Sequence, residues 1–462
     1  MASTYSPSGF ATAPAPSAAT SLAPRAALAV MAIALVAAGA DGLVTATPAG
    51  LALAGLSILL TPLVLVFARR HLRADPRRAA HGRLATALAA ATVLLALADN
   101  VLLLAAGWIA AGRVMTALVG HAADWAEARA AARRVTRAAL IADLALVGAL
   151  GTLAFAAKSA TIGGILAAVP ALPPAAVLAA AGLLVLAAVA RCAAPPFSGW
   201  LLSSVAAPTP VSALMHAGFV NAGGFLLIRF APVLEAAPAA RALLLAIGIG
   251  GALWGSALML VRSDVKGALA ASTVAQMGFM LLTCALGAYA AALWHMVAHG
   301  LFKAWLFLGS AGTIGRPRQA KALPQAVPAL IALAVLIIAA LAMGAGIAET
   351  ALLPLGLALA ALLSALLVAA SSLRRDHVRL VLIAVPALLI GLNVGALALI
   401  GAVQPDTTAP LLSPPWQIAL LSLFLAGWVV QQDLAAGRRA LPPALHARLL
   451  HAGAPATSSR KD

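Results

Sequence analysis

Apolar stretches of about 20 residues recur from residue 26 to residue 431, separated by short polar and basic loops. A helix of that length rises about 30 Å, the thickness of a bilayer's hydrocarbon core. Backbone polar groups in lipid must pair internally, and runs this long suit helices, not barrel strands. A single such run is compatible with a buried core helix, but more than ten in series are not. The pattern therefore predicts an all-α, polytopic membrane bundle.

The loops give the topology. One after the second run carries Arg69, Arg70, Arg73, Arg77, Arg78 and Arg83, and the next charged stretch carries Arg113, Arg129, Arg133, Arg134 and Arg137. Both are expected on the cytoplasmic side, so an even number of crossings separates them. Residues 84–121 would measure about 57 Å as one helix, close to two crossings. Asp99-Asn100 is the natural turn between them. Further runs near 139–157, 174–191, 207–230, 241–262, 267–288, 291–313, 327–346, 351–372, 378–402 and 414–431 bring the expected total to 12–14 helices. Arg262 and Lys266, Arg316, Arg318 and Lys321, Arg374, Arg375 and Arg379, and the basic tail then share the first face. Only Lys158, Arg229 and Arg241 fall opposite. Both termini are expected in the cytoplasm. Residues 1–24 read as a disordered tail rich in Ala, Ser, Thr and Pro, 25–431 as the membrane domain, and 432–462 as a basic cytoplasmic tail.

Composition agrees. With 63% hydrophobic and 9% charged residues, a soluble domain could not hide the apolar surface. The net charge of +17 does not indicate nucleic acid, because the cations lie in loops without an aromatic-rich basic face. Cys192 and Cys284 lie in separate apolar runs, which excludes a disulfide framework and a C-x-x-C metal spacing.

Residues 191–212 break the pattern. Pro195, Pro196, Gly199, Pro208 and Pro210 cannot all belong to a regular helix. The segment is either a broken helix at membrane depth, of the kind that builds ion sites in transporters, or a loop at the cytoplasmic face. His216 follows it. Downstream, His295, His299 and Lys303 recur every fourth residue and form one stripe. Ionisable residues inside spans are costly and mark ion pathways, so these four groups predict a hydrated polar axis. Ser272, Thr273 and Gln276 add a weaker polar face, which more often serves as interhelical hydrogen-bonding glue. A metal site is not expected, since His-Met-Val-Ala-His lacks the glutamate of H-E-x-x-H. With no nucleotide loop or nucleophile arrangement, the chain is not expected to be an enzyme, nor to hold a cofactor.

Trp200-Leu-Leu-Ser-Ser-Val-Ala-Ala-Pro-Thr-Pro-Val-Ser-Ala-Leu-Met-His-Ala resembles a signature of the antiporter-like subunits of respiratory complex I and Mrp antiporters. His295-Met-Val-Ala-His-Gly-Leu-Phe-Lys-Ala-Trp-Leu-Phe-Leu-Gly-Ser resembles a second. Ala98-Asp99-Asn100, and Asp264-Val-Lys266 before Ser-Thr-Val-Ala-Gln-Met-Gly, also fit, so the likeness spans roughly residues 84–313. Within that superfamily, Met215-His-Ala-Gly-Phe-Val-Asn-Ala-Gly-Gly and Ala290-Ala-Ala-Leu-Trp-His are similar to the DabB family, the membrane subunits of dissolved-inorganic-carbon pumps. That resemblance implies a soluble DabA-like partner bearing zinc in a site like a β-carbonic anhydrase. It also implies a coupling ion, H⁺ or Na⁺, conducted past His216, His295, His299 and Lys303.

Two positions depart from the complex I pattern. Ile109 follows Gly107-Trp108 where those relatives have glutamate, and Arg191 stands at their lysine. Arginine effectively never gives up its proton, which predicts a fixed charge or gate at Arg191. No lysine occurs in the last four apolar runs, and Glu349 sits at a helix end. Two other functions fit the pattern: a subunit of a quinone-linked or Mrp-type antiporter complex, and a passive scaffold for a cytosolic enzyme.

Overall fold

The computed structural model describes residues 42–311, 324, 326–344, 352–370, 388, 391–404, 406, 407 and 409–453. The first expected crossing, the 1–24 tail, Glu349 and the loops with Arg316, Arg318, Lys321, Arg374, Arg375 and Arg379 lie outside the described residues. Among the described residues, 11 helices are long and apolar enough to cross a membrane. The chain is thus an all-α, multi-pass membrane protein.

The first half is a series of antiparallel crossings. Helix α1 (Pro48–His71) starts where the Thr47 hydroxyl accepts the Gly50 amide. Helices α2 (Arg78–Leu97) and α3 (Val101–Val119) form the predicted hairpin, and Asn100 caps α3 by accepting the Leu102 amide at 2.9 Å. Helix α4 (Ala126–Ala157) is longer than its apolar run. The expected start near 139 marks where lipid contact begins, whereas the helix itself begins 13 residues earlier. Alanines and arginines are good helix formers and extend it through the charged stretch. A short helix, α5 (Ile162–Ala168), precedes α6 (Pro174–Arg191).

The 207–230 run is where the structure departs most from the expected regular helix. After α6 come the short α7 (Ser198–Ser203), then α8 (Thr209–Ala217), a 3-10 turn over Phe219–Asn221 and α9 (Ala222–Arg229). The chain is therefore interrupted a second time, at Gly218. This interrupted crossing is the most enclosed of the bundle, with 94% of it buried. Its residues therefore line the protein interior.

A short α10 (Ala231–Glu235) leads to α11 (Pro238–Val261), α12 (Val265–Leu286) and α13 (Tyr289–Ser310). Gly255 lets α11 and α12 approach closely: a Cβ there would meet the Ala271 carbonyl oxygen at 2.7 Å and the Ala275 backbone. Small residues play this part at helix crossings in membranes. Helices α14 (Ala326–Gly344), α15 (Leu352–Ala370), α16 (Gly391–Val403) and α17 (Pro414–Ala435) follow. Residues of α14, α15 and α17 cluster around Leu282, Val335, Leu353 and Leu421, apart from the main core, against which Ile400 of α16 packs. Part of the expected C-terminal tail is helical, as α18 (Pro443–Gly453), which buries Leu449 in the main core.

Contacts between loops fix the two ends of the bundle. His121 Nε2 lies 2.8 Å from Asp75 Oδ2, and Arg77 pairs with Asp124 at 2.7 Å, joining the α1–α2 and α3–α4 loops. Burial opposes ionisation of Asp75. Hydrogen bonds from His121 and the Arg77 amide, with the charges nearby, nonetheless hold its carboxyl below the ordinary range. Arg262 donates to the Gly453 carbonyl at 2.5 Å, bringing α18 to the same end. At the opposite end Arg229 pairs with Asp99 at 2.8 Å, and Arg241 donates to the Ala285 carbonyl at 3.1 Å. The predicted segregation of basic loops from Arg229 and Arg241 is therefore present in the packing.

Candidate functional site

The expected polar axis resolves into two buried clusters, one on each side of the Gly218 break. The first is built by α8, α12 and α13. Spacing of four puts His295, His299 and Lys303 on one face of α13, and the structure turns that face toward α8 and α12. Lys303 is 2% exposed. Its ammonium donates to the Leu269 carbonyl at 3.2 Å and to the Ser272 hydroxyl. The same Leu269 carbonyl accepts the Thr273 hydroxyl at 3.0 Å, and Thr273 Oγ1 lies 3.0 Å from His216 Nδ1. Lys303, Leu269, Thr273 and His216 thus form one hydrogen-bonded chain across three helices. The His216 ring also stacks on Phe307, one turn beyond Lys303, at 4.3 Å.

His299 and His295 continue along the stripe with stacked rings 5.5 Å apart, and His295 meets Phe279 edge-on. Nε2 of each lacks a hydrogen-bond partner although both are buried. Such atoms in a membrane interior call for water or a proton-carrying partner. Asn221 ties this region together by donating to the Ala217 carbonyl at 2.8 Å and the Met296 carbonyl at 3.2 Å. Ser272 and Thr273 therefore join the chain, whereas the Gln276 side chain is exposed and does not.

Among the described residues Lys303 has no carboxylate within ion-pairing distance. A cation so enclosed and uncompensated is costly, which is the usual mark of an ion pathway inside a membrane. Lys266, at the start of α12, reaches instead into the broken segment and donates to the Ala207 carbonyl at 2.7 Å. It satisfies acceptors freed where Pro208 and Pro210 interrupt the helix.

The broken segment combines features of both placements. It lies toward the end of the bundle that holds the 262–264 turn, yet α4 and α12 cover it and most of it is buried. Helix α6 stops at Arg191, the Pro195–Pro196 bond is cis, and Gly199 falls inside α7. Trp200 closes the turn by donating to the Ala190 carbonyl at 2.9 Å.

Arg191 is not on the lysine side. It is the centre of the second cluster, 2% exposed, with its guanidinium 3.8 Å from the Trp108 ring centroid and 4.5 Å from that of Phe219. One of its nitrogens donates to the Trp108 carbonyl at 3.0 Å. The carboxylate in this cluster is Asp143 on α4, 3.7 Å from Arg191 and 2.5 Å from Arg113. Ile109 has no carboxylate to offer, and Asp143, one helix further on, faces the arginine instead. Sequence patterning did not single out Asp143. The available signal was a lone acid in an apolar run, which must find a buried partner to be tolerated.

Taken together, the broken segment, the central crossing interrupted at Gly218 and the buried cationic clusters give the architecture of an antiporter-like membrane bundle. Comparison with known proteins agrees. The family model described as "NADH:quinone oxidoreductase/Mrp antiporter, TM" matches residues 98–391. The chain belongs to that family. It is similar to the "Probable inorganic carbon transporter subunit DabB1" of Halothiobacillus neapolitanus, with 47% identity over 32% of this chain and 26% of that one. It is also similar to that organism's DabB2, with 36% identity over 59% of this chain and 50% of the relative. NADH-quinone oxidoreductase subunit L of Mycobacterium tuberculosis is 36% identical over 54% of this chain and 40% of that protein. The matched stretches thus span half or less of these relatives' own lengths. A chain of the Mrp complex from Dietzia sp. DQ12-45-1b shares the fold, with a TM-score of 0.61 and 22% identity over 94% of this chain and 59% of that one.

Proposed function

We propose that the chain is the ion-conducting membrane subunit of an energy-coupled uptake complex for dissolved inorganic carbon. The observation that carries the conducting role is the enclosed Lys303 with no carboxylate partner among the described residues, held with Thr273 and His216 around the Leu269 carbonyl, beside the unpartnered His295 and His299 nitrogens. A lysine and three imidazoles are each able to bind and release a proton, so a proton is the coupling ion that this arrangement suits best. Arg191 and Asp143 would supply a fixed charge pair that gates passage at the broken segment. The carbon substrate rests on the likeness to the DabB relatives. On this reading the chain lies in the bacterial inner membrane with its basic end cytoplasmic. There it meets a DabA-like soluble protein whose zinc carries the hydration chemistry.

The test is accumulation of labelled bicarbonate and CO2 in carbonic-anhydrase-deficient cells. The chain is expressed alone, with a DabA-like partner, and as Lys303→Ala with that partner. Uptake should need both proteins, collapse with a protonophore and vanish in the variant. Uptake that ignores both Lys303 and the protonophore would instead make the chain a passive scaffold. A second reading, a subunit of a quinone-linked or Mrp-type antiporter complex, draws on the likeness to subunit L and to the Mrp fold. It predicts no carbon uptake in any combination, with antiport restored in cells lacking their own.

A further inference from the structure

Helix α4 carries a surface that the conducting clusters do not use. Its 32 residues rise about 48 Å, well beyond a hydrocarbon core of about 30 Å. Arg129, Arg133 and Arg137 are exposed at successive fourth positions in its first half. Arg133 and Arg137 form no ion pair among the described residues. The second half exposes Leu140, Leu144, Val147 and Phe155, at 48%, 65%, 48% and 87%. At 3.6 residues per turn all seven fall within a sector about 80° wide. The arginines and the lipid-facing side chains therefore form one continuous stripe.

Depth along the helix decides what the cations meet. From Leu140 to the helix end at Ala157 the rise is about 26 Å, which fills most of the hydrocarbon layer. Arg137 and Arg133 then lie about 5 and about 10 Å beyond Leu140, at the headgroup layer. Asp143 and Asp124 are already engaged by Arg113 and Arg77, so neither neutralises the stripe.

We infer that Arg133 and Arg137, with Arg129 above them, form a site for the phosphate headgroup of an anionic phospholipid in the leaflet at the basic end. A soluble partner's acidic surface is the poorer match, because the stripe runs without a break into side chains that face acyl chains.

The test uses the full chain, purified in detergent, with dioleoyl phosphatidylglycerol or phosphatidylcholine titrated and bound lipid counted by native mass spectrometry. The intact protein should prefer phosphatidylglycerol. Arg133→Gln/Arg137→Gln should weaken that binding about fivefold for each arginine removed. Arg133→Lys/Arg137→Lys keeps the charge and should retain most of it, which separates loss of a site from loss of fold. Equal binding of the two lipids, or phosphatidylglycerol binding unchanged in the glutamine variant, overturns the inference.

Discussion

The Arg191 cluster yields a prediction whose size follows from its asymmetry. Asp143 faces two cations, but they differ in their surroundings. The Arg113 side chain is 44% exposed and can recover water if it loses its partner, whereas that of Arg191 is 1% exposed and cannot. Asp143→Asn therefore leaves an enclosed cation with only the Trp108 carbonyl and two aromatic faces. Stranding one member of a buried pair costs about 3–5 kcal/mol. Arg191→Met removes the enclosed cation and leaves Asp143 bonded to Arg113 at 2.5 Å, so its cost should be smaller, about 1–3 kcal/mol. The double variant replaces the pair by neutral groups and should be more stable than Asp143→Asn alone. Unfolding free energies of the purified chain, titrated with a denaturing detergent in mixed micelles, measure all three. The reasoning fails if the two single variants cost the same, or if the double variant is less stable than Asp143→Asn.

Two further predictions concern packing and pH. Gly255→Leu should destabilise the chain by about 1–3 kcal/mol or more, since its side chain would meet α12 backbone, which cannot yield; Gly250→Ala, which faces open space, should change nothing in the same titration. Because the folded state holds the Asp75 carboxyl below its ordinary value of 3.8, the link between the α1–α2 and α3–α4 loops contributes stability above about pH 4. That contribution should be lost as pH falls through the lowered value. Amide exchange in residues 72–77 and 120–125 should show the loss in the intact chain but not in Asp75→Asn, compared at each pH.

Much of the bundle was legible because lipid imposes simple rules. A hydrocarbon slab fixes helix length, so the α2–α3 hairpin followed from 38 residues and the Asp99-Asn100 turn. The retention of cations at one face placed the loops around Arg77 and Arg262 together. The stripe of His295, His299 and Lys303 was readable because helical periodicity sets its own geometry. The features that patterning missed depend on neighbours. Gly218 interrupts a segment that hydropathy reads as one crossing, and helical periodicity alone does not separate that glycine from Gly223 or Gly224, which stay helical. Arg191 was expected as a fixed charge or gate, but its partners were not legible: the end of α6 is turned toward α3 and α4, where Trp108 and Asp143 receive it. The N-terminal extension of α4 escaped notice because hydropathy reports contact with lipid, not the limits of a helix.

The interruption at Gly218 also has a mechanical meaning. His216, two residues before it, touches Thr273 and Phe307; Phe219, one residue after it, covers the Arg191 guanidinium. Four consecutive residues thus carry a side chain from each cluster. A change in the Gly218 backbone dihedrals would alter the spacing between the His216 and Phe219 side chains, and so between the two clusters. The shortest stretch of backbone that joins the two clusters therefore passes through a residue with no side chain, the point of the crossing where the chain bends most easily.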